Sequence, residues 1–194
     1  MEIVFATGNK NKLQQISLML DQFDLKSPVD YDIYDFEVEE DGQTLKENAY
    51  KKAKALFDEI HLPVFSDDTG LFVDALDGRP GVHAHRYASE YATYKDNRDK
   101  LLFELNGITN RDAHFETVIC FIDKDGNDHY FMGELDGIIT TEEIGDYDFG
   151  YDQIFKPDGE DRTLGEMTDE EINHISHRSK AINHLKKFLE ENYD

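Results

Sequence analysis

Thr7, Gly8, Asn9, Lys10, Asn11 and Lys12 follow the apolar residues 3–6 and precede Leu13, Ile16, Met19, Leu20 and Phe23 at helical spacing. A strand that breaks at Gly8 and opens a helix presents backbone N–H groups and the positive end of the helix dipole, a setting that binds phosphate. Lys10 and Lys12 add charge there. Taken alone, the segment reads equally as an ordinary strand-to-helix turn capped by Asn9, because it lacks the glycine and lysine spacing of a P-loop.

Two groups of acids form a second candidate. Glu39, Glu40 and Asp41 follow the alternating Tyr34, Phe36 and Val38, while Asp67 and Asp68 interrupt the apolar residues around Val64 and Leu71. Carboxylates in loops at strand ends suit Mg²⁺, which takes one or two of them together with substrate phosphates. A carboxylate beside such a metal can also accept a proton from an attacking water. In a chain this acidic, adjacent acids are common as solvated turns, but Asp67 and Asp68 stand at the edge of the core. Ser176, His177 and Arg178 at a helix start can donate to a phosphate or to a carbonyl on a base. Phe149, Gly150, Tyr151 and Asp152 place an aromatic beside glycine, able to stack on a planar ligand or to sit in the core.

Other signals fail. Asp123, Asp125 and Asn127, with Glu134 at the twelfth place, imitate a calcium loop, but Asp128 occupies the place that needs glycine, so a hairpin turn is expected. His83 and His85 have no further Cys or His at a convincing spacing for zinc. Cys120, the one cysteine of the chain, lies in a strand pattern and has no partner, which suits a reducing compartment.

The elements needed to position these groups follow from periodicity. Strands are expected over residues 3–6, at Tyr34 to Val38, at 64–66 with a continuation at 71–73, from Phe115 to Phe121, and from His129 to Ile139. Helices are expected from Leu13 to Phe23, along Leu45, Ala49, Ala53, Leu56 and Ile60, from about Asp96 to Asn106 with Gly107 as cap, and at the C-terminal end after the Thr168/Glu171 capping box. This pattern predicts an α/β fold with a partly antiparallel sheet, as one domain over 1–194.

Charge narrows the partners. The chain of 194 residues carries 20 Lys and Arg against 43 Asp and Glu, a formal net charge of −23. That field repels duplex nucleic acid and anionic membranes, so a polyanionic substrate needs a cation or a local basic pocket. The acidic start and the lack of a long apolar stretch predict a soluble protein of the cytoplasm.

In this order the segments resemble the inosine triphosphate pyrophosphatase family, also called dITP/XTP pyrophosphatases. The matching residues are Ala6 to Asn9 with Lys12; Glu40 and Gly42 before Glu47, Asn48 and Ala49; Asp67 to Leu71 and Val73 to Leu76; Pro80 to Val82 with Arg86 and Tyr87; Phe149 to Asp152 with Ile154 and Phe155; and Glu166 and Met167 with Ser176, His177 and Arg178. The resemblance spans nearly the whole chain. It implies a long mixed β-sheet flanked by helices, in two lobes with a cleft between them, and a Mg²⁺-dependent homodimer. It implies hydrolysis of ITP, dITP and XTP between the α and β phosphates, clearing them from the nucleotide pool.

By motif position, Thr7, Gly8, Asn9, Lys10, Asn11 and Lys12 would hold the triphosphate. Glu40 and Asp68 would bind metal, and Asp68, assisted by Asp67, would accept the proton of water. Thr69 would touch substrate, Phe149 would stack on the base, and Gly150, Tyr151 and Asp152 would line its pocket. His177 and Arg178 would read the 6-oxo group. The chain departs from the family's usual pattern at Ile172 for Lys, Gln153 for Pro, Asp148 for Gly, and Ala84 with His85 for Ser-Ala, all on the base-reading side. Two other readings stay open: a nucleotide-binding or sensing module with weak catalysis, and a pyrophosphatase for a different modified nucleotide.

Overall fold

The structure, a computed structural model, describes residues 1–193. In chain order it contains β1 (Glu2–Phe5), α1 (Lys10–Ser17), β2 (Asp24–Lys26), α2 (Leu45–Ile60), β3 (Val64–Val73), β4 (Pro80–Gly81), α3 (Tyr94–Glu104), β5 (Asp112–Ile122), β6 (Asp128–Ile139), β7 (Phe155–Pro157), α4 (Asp169–Ile175) and α5 (His177–Asn192), with short 3₁₀ turns between. One seven-stranded sheet runs in the order β2-β1-β3-β5-β6-β7, with β4 paired to β3. β1 is parallel to β2 and β3, whereas β4 and β7 are antiparallel to their neighbours, so the sheet is mixed as expected.

The chain divides into two compact units, one of Met1–Asp68, Thr117–Gly133 and the segment from Arg178, the other of Thr69–Glu116 and Glu134–His177. In the first unit β1, the start of β3 and the end of β5 are apolar on both faces, as strands covered on both sides must be. Alternate side chains sort into two clusters. Ile3, Phe5, Phe65, Ile119 and Phe121 meet Ile16 and Leu20 from the α1 segment and Ile182, Leu185 and Leu189 from α5. Val4, Ala6, Val64, Cys120 and Ile122 meet Ala49, Ala53 and Leu56 of α2. The rings of Phe5 and Phe65 stack at 4.5 Å, fixing β1 against β3. The second unit has its own core, including Leu71, Val73, Leu101, Phe115, Ile139, Ile154, Phe155 and Ile172.

Four expectations need correction. No strand forms at Tyr34 to Val38: Asp32 and Asp35 adopt positive φ, which interrupts extended backbone, and Ile33 and Phe36 instead pack against the α2-side cluster. The short strand in this region is β2, whose charged residues gave no apolar alternation. Asp67 to Gly70 do not end a strand, because β3 runs unbroken from Val64 to Val73. The C-terminal helix is two helices, α4 and α5, separated by an extended Ser176, and α1 stops at Ser17 with turns carrying the chain on to Phe23. The Asp123 segment is a turn, since Oδ1 of Asp123 accepts from the N–H groups of Asp125 and Asn127.

α2 also fastens the segment that brings in Glu40. Thr44 caps the helix, and one turn on the buried Asn48 accepts the Gly42 N–H through Oδ1 at 2.8 Å. A Cβ on Gly42 would lie 2.6 Å from that oxygen, so the glycine is required by close approach. Asn48→Ala would leave a buried N–H without its acceptor, and we expect a loss of about 1–3 kcal/mol in urea unfolding. An unshifted midpoint would show that Asn48 does not hold this segment.

Candidate active site

The site of the first unit is built on the polar middle of β3. Ser66 donates its hydroxyl to the Ala49 carbonyl, on the α2 side. Asp67, next along, turns to the other face, where Lys12 Nζ lies 3.2 Å from its Oδ1 and Arg178 Nε 3.1 Å from its Oδ2. Arg178 also donates from Nη1 to the buried Gln15 at 3.1 Å, so α1 and α5 are both tied to this acid. Asp68 turns back toward α2. There Lys52 Nζ sits 2.8 Å from Glu40 and 3.7 Å from Asp68, and it also donates to the Asp67 carbonyl.

The two acids have opposite electrostatics. Burial alone would raise the Asp67 carboxyl, but Lys12, Arg178 and Lys52 outweigh it and hold the group well below the usual carboxylate range. For Asp68 burial wins. It is pushed up to about 6, with Glu40 and Asp67 adding repulsion that Lys52 and Lys12 only partly offset. Its Oδ2 is buried and has no hydrogen-bond donor among the described residues. Burial also lowers Lys12 despite Asp67, since Lys52 and Arg178 stand close, whereas Lys52 is raised against the effect of burial by Asp68, Glu40 and Asp67.

The loop before α1 is more occupied than the sequence suggested. Asn9 caps the helix through Oδ1, accepting from Asn11 N at 2.9 Å and Lys12 N at 3.2 Å, and Asn9 N donates to Thr7 Oγ1 at 3.0 Å. Those three N–H groups are therefore already engaged, as an ordinary capped turn has them. Gly8, Lys10 and Asn11 are exposed.

The remaining sequence-derived residues belong to the second unit. Thr69 follows Asp68 in β3 and is half-buried. Phe149 is buried, with the Tyr94 ring edge-on at 5.5 Å and Tyr147 at 6.2 Å. Gly150 adopts φ 54°, Tyr151 donates its hydroxyl to the Ala84 carbonyl at 2.6 Å, and Asp152 is buried. His177 is buried with its ring stacked on Phe115 at 4.5 Å.

Three functional candidates escaped the motif reading. Lys52 and Gln15 lie on the covered faces of their helices, Lys52 midway between Asn48 and Leu56 at i+4 spacing, and that place beside the apolar stripe was the available signal. The third is a cluster of His114, Glu116 and Glu134, whose ligand atoms lie within 4.8 Å of one another. His114 and Glu116 share one face of β5 by alternation, but Glu134 on β6 is exposed, and only their spatial pairing reveals the group. The exposed His83 and His85 join no such group among the described residues.

A mixed sheet carrying buried acids in mid-strand, each faced by a basic side chain from a covering helix, defines an α/β protein with a site for anionic ligand chemistry. Comparison with known proteins makes the class specific: residues 3–188 match the Ham1 family, to which this chain belongs. It is 41% identical over 190 residues to a dITP/XTP pyrophosphatase of Flavobacterium psychrophilum, covering 97% of this chain and 99% of that one. A dITP/XTP pyrophosphatase of Geobacter sulfurreducens is 42% identical over 191 residues, with 96% of each chain covered. The solved Ham1 protein of Staphylococcus aureus superposes with a TM-score of 0.88 at 37% identity over the full length of both chains. No helix among the described residues is long and apolar enough to cross a membrane.

Asp68→Asn and Asp67→Asn should move stability in opposite directions. Because the folded-state value of Asp68 lies above its unfolded value, the folded protein binds more protons between about pH 4 and 6 and loses stability as pH rises through that window. In EDTA at pH 8, Asp68→Asn should therefore stabilise by up to about 3 kcal/mol, at roughly 1.4 kcal/mol per unit, with the gain gone near pH 4. Asp67→Asn, which strands Lys12 and Arg178, should destabilise by about 3 kcal/mol or more at the same pH. Denaturant titrations of both variants at the two pH values check this, and shifts of one sign in both would contradict it.

Proposed function

We propose that the protein hydrolyses non-standard purine nucleoside triphosphates, ITP, dITP and XTP, to the monophosphate and pyrophosphate, removing them from the nucleotide pool of the cytoplasm. The observation that carries this reading is the buried array Glu40–Lys52–Asp68, with an Asp68 oxygen that lacks a donor. The names of the relatives support the substrate class.

An uncompensated buried carboxylate oxygen next to a second carboxylate is a donor set that fits a hard divalent cation. Glu40 and Asp68 would hold Mg²⁺, which when bound supplies charge neutralisation for the triphosphate. Asp68 would accept the proton of the attacking water through a carboxylate oxygen not engaged by the metal, as the bond between the α and β phosphates breaks. Lys12 and Lys52 would face phosphate oxygens, and Thr7 to Asn11 with Thr69 would complete the phosphate contacts. Asp67 would keep Lys12 and Arg178 in place. On the base side, Phe149 would stack, Gly150 to Asp152 would line the pocket, and His177 and Arg178 would donate to the 6-oxo group. Adenine presents an amino donor at that position, and a site built to hydrogen-bond one partner can reject a mismatched one by about 10⁴. The family resemblance also makes a homodimer the proposed assembly.

The base-side departures favour one variant of this reading. Ile172, where the family commonly has lysine, is packed in the core of the second unit and offers no donor, so the preferred base is open to another modified nucleotide.

A panel of ITP, XTP, dITP, ATP, GTP and modified pyrimidine triphosphates, assayed for pyrophosphate with Mg²⁺ and with EDTA, tests the proposal. We expect pyrophosphate from ITP, XTP and dITP, no turnover in EDTA, restoration by Mg²⁺, and a fall in kcat of about 10²-fold or more for Asp68→Asn. Orthophosphate as the product, or metal-independent turnover, would refute the assignment. Tight nucleotide binding with negligible turnover would identify a sensing module instead.

A further inference from the structure

Arg98 is the largest of the fully buried side chains, and it lies outside every group discussed so far. A buried guanidinium is costly unless its N–H groups are matched. Here Nη1 donates to Asp148 Oδ1 at 2.8 Å and to the Gly150 carbonyl at 2.8 Å and Nη2 lies 3.5 Å from Glu143, while Nε is buried without a partner among the described residues. Asp148 and Gly150 are the two neighbours of Phe149 in the chain. One turn earlier on α3, Tyr94 sets its ring edge-on against Phe149 itself. Residues four apart share one helix face, so a single face of α3 touches three consecutive residues of the loop.

From this geometry we infer that Arg98 is a positioning residue for base recognition, holding the Asp148 side chain before Phe149 and the Gly150 backbone after it so that the ring is kept at a fixed place and angle. The inference rests on the reading of Phe149 as the residue that stacks on the base. The loop needs such a pin. Gly150 sits at φ 54° with nothing within 4 Å of where a Cβ would be, so its own packing does not hold it there. Asp148 has a largely exposed side chain, 63%, and is anchored at its inner end by the buried Arg98. The guanidinium is suited to the role because it stays charged when buried and is more weakly hydrated than an ammonium, so that one buried Nη1 can serve both acceptors. Removing it frees the loop without touching Lys12, Lys52 or the β3 acids. The effect should therefore fall on contacts to the base and spare contacts to the phosphates.

The test compares wild-type protein with Arg98→Met, Arg98→Lys and Asp148→Asn in full-length form with Mg²⁺, measuring kcat and KM for ITP and the inhibition constant of inorganic tripolyphosphate, which has no base. Arg98→Met should raise KM for ITP about tenfold with kcat changed less than threefold and tripolyphosphate inhibition unchanged. Asp148→Asn should raise KM two- to threefold, because the Gly150 contact survives, and Arg98→Lys should fall between. KM and tripolyphosphate inhibition weakening in parallel would mean that Arg98 only supports the fold, and an unmoved KM would mean that the loop is held without it. Either outcome overturns the inference. If Arg98→Met does not fold, the Lys and Asn variants carry the same comparison. Wild-type protein that turns over no nucleotide would sink the proposed function and this inference with it, whereas wild-type turnover with an unmoved KM sinks the inference alone.

Discussion

Consecutive residues of an extended strand leave its opposite faces, and in β3 that parity sends Asp67 toward α1 and α5 and Asp68 toward α2. Phe65 and Val64 obey the same parity two and four positions earlier, where they enter the two apolar clusters. The acids thus occupy positions that the fold would otherwise fill with core side chains. They are tolerated because each covering helix supplies a cation at the matching level: Lys12 from α1, Arg178 from α5, itself held by Gln15 of α1, and Lys52 from α2. A register slip of one residue in β3 would exchange the two faces and leave every one of these charges mismatched.

The same arrangement explains how a chain with a net charge of −23 can be suited to a polyanionic ligand. Glu40, Asp67 and Asp68 are matched in number by Lys12, Lys52 and Arg178, so this buried array is close to neutral as it stands. The balance within it is uneven. Asp67 faces three cations and stays ionised, while Asp68 is left with a raised carboxyl and an oxygen that has no donor. A triphosphate entering such an array adds charge that three basic residues already in use cannot neutralise. The deficit falls on the Asp68 side, where a divalent cation would remove the repulsion between Glu40 and Asp68 and compensate the phosphates together.

Much of this was legible in the sequence because burial writes itself into periodicity. The two-sided apolar run of β1, the stripe of α2, the α3 helix and the β5 to β6 turn all announced themselves. Asp67 and Asp68 stood out because they interrupt apolar residues. Polarity itself misled at that point, since four polar or small residues from Asp67 to Gly70 look like a strand end unless their partners are known, and those partners lie 55 and 111 residues away in sequence from Asp67. Long-range neutralisation has no local signature. Lys52 and Arg98 were overlooked for the same reason, because an exposed and a buried basic residue are spelled identically. The alternation at Tyr34 to Val38 was real, but positive φ at Asp35 diverted it into packing without a ladder.

The departures from the family pattern cluster in the second unit, and there three of them, at Gln153, Ala84 and Asp148, are absorbed by local structure. Gln153, in place of proline, donates its Nε2 to the Gly145 carbonyl at 2.9 Å. Gly145 itself, at φ 111°, lies so close to the backbone of Gly165 that a Cβ would stand 2.2 Å from it, so the glutamine helps fix a segment that admits no larger residue. Ala84 receives the Tyr151 hydroxyl on its backbone carbonyl, a contact independent of the side chain at that position. Asp148 is met by Arg98. Ile172 differs in kind, because it joins the core and its place in the family pattern is left without a donor. Under the proposed function, recognition of a base on this side would lean on groups held by backbone and packing, such as the Phe149 ring set against Tyr94 and the His177 ring stacked on Phe115. A site of that kind discriminates by shape and by the direction of fixed donors, and it loses selectivity when the loop that holds them is loosened.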